Sequence, residues 1–158
     1  MALSDNRDTK EMASPFAFRH EVLGGTSQDF YKGQLVAVDL TDGRLYPAVA
    51  ADLNLQVCGR CEEEYSTGAS ETTKKIKFKS GIFNYASGTA GEAIVAADRG
   101  QVCYVVDDQT VGIDGNSQAN AIAGRIYDVD SYGVWVGIHF PRPQLAPVGG
   151  GTAEPGQV

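Results

Sequence analysis

Lys74-Lys75-Ile76-Lys77-Phe78-Lys79-Ser80-Gly81-Ile82-Phe83-Asn84-Tyr85 decides the fold class of this 158-residue chain. Lys75, Lys77 and Lys79 alternate with Ile76 and Phe78. A period of two puts charge on one face of a strand and apolar groups on the other, whereas a helix needs its apolar positions three and four apart. Gly81 permits a bend, after which Ile82, Phe83 and Tyr85 carry the apolar pattern onward.

Similar signals lie on both sides. Residues 34–38 form an apolar, β-branched run, the turn Thr41-Asp42-Gly43-Arg44 follows, and residues 45–49 start again. An Asp-Gly pair between two such runs predicts a hairpin. Pro47 has no N–H to give a ladder, which predicts an edge strand or a bulge. Further strands are expected at 57–64, 102–106, 110–111, 123–129 and 134–140, the last two joined by Asp130-Ser131-Tyr132-Gly133 as a four-residue loop. Helix is confined to a short turn within 90–100, ended by Gly100. Trp135 reads as core or as an interface anchor. Many short strands spaced about ten residues apart predict an all-β fold, a small β-barrel or β-sandwich of β-tulip-like form.

The flanks differ from this middle. Residues 1–30 hold few apolar groups and read as an extended N-terminal arm; residues 31–140 form the β-domain. Residues 141–158 form a tail, stiffened by Pro141, Pro143 and Pro147 and then loosened by Gly149-Gly150-Gly151.

Asp and Glu number 20 against 13 Lys and Arg, a formal charge of −7. Such a chain is poorly suited to displacing counterions from nucleic acid. No apolar run approaches the roughly 20 residues that span a bilayer, and residues 1–12 lack the apolar stretch of a signal peptide. A soluble chain made in the cytoplasm is expected, with neither nucleic acid nor membrane as partner. The three cysteines, an odd number, do not form a disulfide framework.

Cys58-Gly59-Arg60-Cys61 has redox or metal spacing, but no second pair exists to complete a zinc site. On a strand, positions three apart point to opposite faces, so these thiols are expected to diverge and simply pack. Glu62-Glu63-Glu64, Asp107-Asp108 and Asp128-Val129-Asp130 read as solvated acids at strand ends rather than catalytic or calcium sites. No nucleophile elbow, phosphate loop or zinc-protease motif occurs in the sequence. Neither catalysis nor a cofactor is expected. The stripe Lys75, Lys77 and Lys79 is a candidate partner-facing surface, or an exposed face that discourages edge pairing.

Several stretches together resemble the head decoration, or capsid cement, proteins of tailed bacteriophages. They are Ala2-Leu3-Ser4-Asp5-Asn6-Arg7, Tyr31-Lys32-Gly33-Gln34-Leu35-Val36-Ala37, Gly59-Arg60-Cys61-Glu62-Glu63 and Lys79-Ser80-Gly81-Ile82-Phe83. Residues 98–111 and 123–136 complete the set, so the likeness spans about residues 2–138; the tail departs from it. The resemblance implies a structural protein on the outer capsid surface of a virion, synthesised in the host cytoplasm. Its partners would be the major capsid protein and its own copies as a homotrimer, cementing neighbouring capsomers against internal DNA pressure. It also implies an arm that reaches onto the shell, with Leu3, Arg7, Phe16, Phe18 and Arg19 as candidate capsid-binding residues. Burying an apolar anchor contributes roughly 1.5–3 kcal/mol, while ordering each arm residue costs about 1 kcal/mol or more. Leu3, Phe16 and Phe18 cannot offset that alone, so the arm is expected to gain main-chain hydrogen bonds by adding a strand to a capsid sheet edge.

Two rival readings belong to other classes. A ligand- or carbohydrate-binding β-module would use exposed aromatics, with Tyr85, Tyr104, Tyr127 and Tyr132 as candidates. A thiol enzyme would use Cys58 or Cys61 as nucleophile and His20 or His139 as base.

Overall fold

A computed structural model of the chain describes residues 1–141. The expected tail falls, beyond residue 141, outside the described residues. The strands are β1 (Glu11–Met12), β2 (Arg19–Leu23), β3 (Asp29–Phe30), β4 (Leu35–Asp39), β5 (Leu45–Pro47), β6 (Leu55–Cys61) and β7 (Tyr65–Ser66). They continue with β8 (Lys75–Lys79), β9 (Gly81–Ser87), β10 (Val102–Asp107), β11 (Thr110–Gly112), β12 (Ile122–Asp130) and β13 (Gly133–Ile138). Among the described residues helix is limited to two 3₁₀ turns, Ala90–Glu92 and Ala96–Asp98, the second followed by Gly100 at φ +83°. The all-β expectation holds.

Two main bodies of sheet share the described residues, with β3 and β7 as a separate two-stranded pair. In the first, β9, β11, β10, β12 and β13 pair in that order and β13 pairs back onto β9, closing a five-stranded barrel; β1 is added alongside β9. All of its pairings are antiparallel except β9 with β11. The second sheet runs β2-β8-β6-β4-β5, and its outer strands meet only through a bridge between Gly24 and Leu45. Pro47 sits on β5, an edge, as its missing N–H requires. The Asp42-Gly43 hairpin also forms: Gly43 takes φ +71°, and the Tyr46 hydroxyl donates to the Asp42 carboxylate at 2.7 Å. The 130–133 loop is tighter than expected, because Asp130 and Gly133 pair directly.

Strands β4 and β6 are buried on both faces. Leu35, Ala37, Leu55 and Val57 join the barrel core with Phe83, Tyr85, Cys103, Val105, Ile126, Val134 and Val136. Val36, Cys58 and Cys61 face the second core with Phe30, Leu45, Ile76 and Phe78. The sequence therefore alternates apolar with apolar there, the signature of a strand sandwiched between layers.

Three expectations are corrected. First, residues 1–30 are not a free arm. The β2 strand pairs with β8 along its length, β1 pairs with β9, and Arg7 N–H donates to the Lys32 carbonyl at 2.7 Å. The leader needed a sheet edge, and its own body supplies one. Removing residues 2–23 would take away β2 and uncover the second core, so it would not leave an intact β-domain. Second, Cys58 and Cys61 do not diverge. The register steps from Val36–Gly59 to Ala37–Val57, leaving Cys58 as the extra residue of a bulge. That shifts the alternation by one, and both thiols reach the same core. Third, Asp108 is not solvated. It is 3% exposed and accepts hydrogen bonds from the Gln34 side-chain amide and the Leu3 N–H, both at 2.7 Å.

Candidate functional site

Phase along β8 decides where its lysines go. Ile76 and Phe78 fill the second core, so Lys75 and Lys77 stand exposed on the outer face and Lys79 half-buried beside them. Neighbouring strands set acids among these cations. Across β2, Glu21 lies opposite Lys77, Arg19 opposite Lys79 and Leu23 opposite Lys75. Across β6, Arg60 lies opposite Lys79, while Glu62 N–H donates to the Lys77 carbonyl at 2.9 Å.

Lys79 is paired within the chain. Its ammonium meets the Glu11 carboxylate, which also pairs with Arg60 at 3.2 Å, and Arg60 reaches Glu62 at 2.7 Å. Lys74 pairs with Glu63 at 3.2 Å and lies over the Tyr65 ring. Among the described residues Lys75 and Lys77 make no ion pair within 4.0 Å. A cleft of about 670 Å³ opens here, lined by Arg19, Glu21, Glu62, Lys75 and Lys77 together with the rings of His20 and Phe78. His20 stacks on Phe78 with centroids 5.1 Å apart, and burial lowers its pKa below the usual histidine value. The cleft carries both signs of charge, so the stripe is interleaved with carboxylates and is not a uniform basic patch.

The five arm candidates divide into two groups. Leu3, Arg7 and Phe16 are spent on the chain's own body. Leu3 N–H bonds Asp108, and the Arg7 guanidinium donates to the Thr9 hydroxyl and the Asn84 carbonyl, both at 2.8 Å. Phe16 stacks on His139 with centroids 3.8 Å apart. Phe18, 57% exposed, and Arg19 remain outward. Leader and body are joined by residues that the charge pattern did not single out. The buried Thr9 hydroxyl donates to the Gly33 carbonyl, and Arg60 donates to the Thr9 carbonyl, both at 2.6 Å. An alanine Cβ at Gly33, where φ is +89°, would fall inside the contact distance of the Arg7 carbonyl oxygen. Gly33 within Tyr31-Lys32-Gly33-Gln34 is the sequence signal for this close approach, since only a glycine fits there at positive φ.

Elsewhere the side chains serve packing. All three thiols are buried and free, and burial raises Cys61 and Cys103 to about 12 and Cys58 well above its ordinary value. That opposes the thiolate a nucleophile needs. Among the described residues, no group of three or more His, Cys, Asp or Glu is placed to hold a metal ion. Of the tyrosines considered for a glycan platform, Tyr85 lies in the barrel core and Tyr104 is half-buried, while Tyr127 and Tyr132 are exposed. Trp135 is 8% exposed, its indole N–H donating to Asp130 at 2.8 Å. Asn84 Nδ2 and the Tyr85 hydroxyl are buried with no hydrogen-bond partner among the described residues.

No protein-family model matches the chain, and neither a curated protein nor a solved structure matches it.

Proposed function

We propose that this protein is a structural, non-enzymatic component of a bacteriophage head. It binds the outer surface of a shell of major capsid protein, grouped in threes, and braces neighbouring capsomers. Support comes from the sequence resemblance over residues 2–138 and from one feature of the fold that carries it. The leader, which holds the resembling stretch 2–7, lies across the outside of two sheet bodies and is fastened by contacts that another sheet edge can replace. β1 pairs over just two residues, and the other links are separate contacts: hydrogen bonds to Lys32, Gly33, Arg60, Asn84 and Asp108, ion pairs of the Met1 ammonium with Asp107 and of Glu11 with Arg60 and Lys79, and the ring of Phe16 on His139. The leader is docked on its own body in the free chain, which takes away the physical basis that the arm was expected to supply, ordering on contact with the shell. Exchange of these contacts from the chain's own body to a neighbour takes its place. Grouping several leaders on one particle raises their effective concentration, so weak single contacts suffice.

Cosedimentation with expanded, empty phage shells tests this. The full chain is expected to pellet with shells, and a chain lacking residues 2–12, which keeps β2, to remain in the supernatant while still folded. If the full chain stays in solution with saturating shells, the reading fails. If the shortened chain pellets equally well, the leader is not the contact.

A further inference from the structure

The second sheet has two edges, and only one is closed. On β5, residues 45 and 47 face outward, because Asp39 N–H bonds the Arg44 carbonyl and Ala48 N–H bonds the Leu35 carbonyl. Pro47 has no N–H to offer, and the Leu45 carbonyl already accepts from Gly25. On β2 the alternation runs the other way. Gly24 N–H bonds the Lys74 carbonyl and Ser80 N–H bonds the Phe18 carbonyl, so residues 18, 20, 22 and 24 spend their main-chain groups on β8. Arg19 and Glu21 therefore turn their N–H and C=O groups away from the sheet, and no strand among the described residues pairs with them, whereas Leu23 lies beside the bridge between Gly24 and Leu45.

We propose that the β2 edge is a self-association surface, at which β2 of a second copy of this chain adds as an antiparallel strand about a twofold axis. The sequence of the edge selects the occupant and the register. Outward main-chain positions must meet outward positions, which leaves few alignments. One sets Glu21 against its own copy and another sets Arg19 against its own copy, and like charges directly opposite destabilise a strand pair. The alignment between them sets Arg19 of each chain opposite Glu21 of the other, twice, with two main-chain hydrogen bonds at each pair. The same alignment lays Phe18, otherwise exposed, opposite the half-buried Val22 of the partner copy. The edge is thus self-complementary in charge, in main-chain bonding and in apolar cover. A contact this short belongs to the weak, transient class. It is a property of the free chain and does not depend on the shell-binding reading.

The test is sedimentation equilibrium of the full chain from about 10 μM to about 1 mM, spanning the weak range of affinities, with amide hydrogen exchange at the same concentrations. The mass is expected to rise from monomer toward dimer. Exchange at the Arg19 and Glu21 amides should slow several-fold as it does so, while the His20 and Val22 amides, bonded to β8, stay unchanged. Arg19→Glu and Glu21→Arg should each abolish association, and the double exchange Arg19→Glu with Glu21→Arg should restore it, with circular dichroism confirming that all variants fold. A chain that stays monomeric to 1 mM overturns the proposal. So does an oligomer in which the Arg19 and Glu21 amides keep their dilute-solution rates, or protection at those amides that is independent of concentration, which would mean that the edge is filled within one chain.

Discussion

The barrel and the leader that crosses it hold their places by different means. Each barrel strand is bonded on both sides and backed by a shared core of Phe83, Tyr85, Val105, Ile126, Val134 and Val136. The leader up to residue 18 has one two-residue pairing, a series of separate hydrogen bonds, the ion pairs of Met1 and Glu11, Arg7 and Lys10 over tyrosine rings and the stacked ring of Phe16. Burial of apolar area is cooperative, whereas a row of separate polar links opens one link at a time. The molecule thus joins a body that opens only as a whole to a strap that opens locally, and residues 19–23, paired along β8, mark the boundary.

Alkali gives the largest effect and acts mainly on the bodies, which hold all three thiols; in the leader it removes the proton of the Met1 ammonium, which its pairing with Asp107 holds above the usual value. Unfolded thiols ionise near their ordinary value of 9.0, while Cys61 and Cys103 hold their protons to about 12 when folded. The folded state binds more protons across that window, so stability is unaffected below about pH 9 and falls as pH rises toward 12. The loss should reach several kcal/mol. Denaturant titrations at pH 8, 10 and 11 check it; a flat profile would mean that the thiols are accessible.

Truncating the barrel core comes next. Phe83 is fully buried, with the Arg60 guanidinium over its ring, and Phe83→Ala should cost about 3–5 kcal/mol in urea unfolding. A much smaller cost would place the cooperative core elsewhere. Gly33→Ala moves to the strap: it forces an unfavourable backbone conformation, about 1–2 kcal/mol, and presses on the Arg7 carbonyl. Limited proteolysis within residues 1–12 should speed up while the barrel keeps its protection. If barrel and leader are cleaved together, the two regions are not separable. The smallest effect has the opposite sign. The buried Tyr85 hydroxyl has no partner among the described residues, so Tyr85→Phe should be neutral or stabilise by about 1 kcal/mol. A clear destabilisation would reveal a bond to that hydroxyl.

How far the sequence disclosed this arrangement follows from the range of each signal. Alternation in Lys75–Lys79, the Asp42-Gly43 turn and the edge position of Pro47 are local, and each appears in the structure as read. What escaped is long-range. Nothing near Cys58 announces a bulge, which arises from the register between β4 and β6. Asp108 looks like a surface acid until Gln34 and Leu3, distant in sequence, close over it. Residues 1–18 have too few apolar groups to predict a resting place, because what holds them is main-chain and polar bonding, which leaves no periodic trace. The lysine stripe was visible, but the acids placed between its members by β1, β2 and β6 were not.

Residue-resolved hydrogen exchange tests the division most directly. The Arg7 amide, bonded to Lys32, and the Asn84 amide, bonded to Lys10, report the strap; the amides of Val134, Val136 and Ile138 report the barrel. Arg7 and Asn84 are expected to exchange through local openings several kcal/mol cheaper than global unfolding, with little denaturant dependence, while the barrel amides track global unfolding. Equal opening energies and equal denaturant slopes for both sets would show the leader to be an integral part of one cooperative unit, and would contradict a strap that can leave its body.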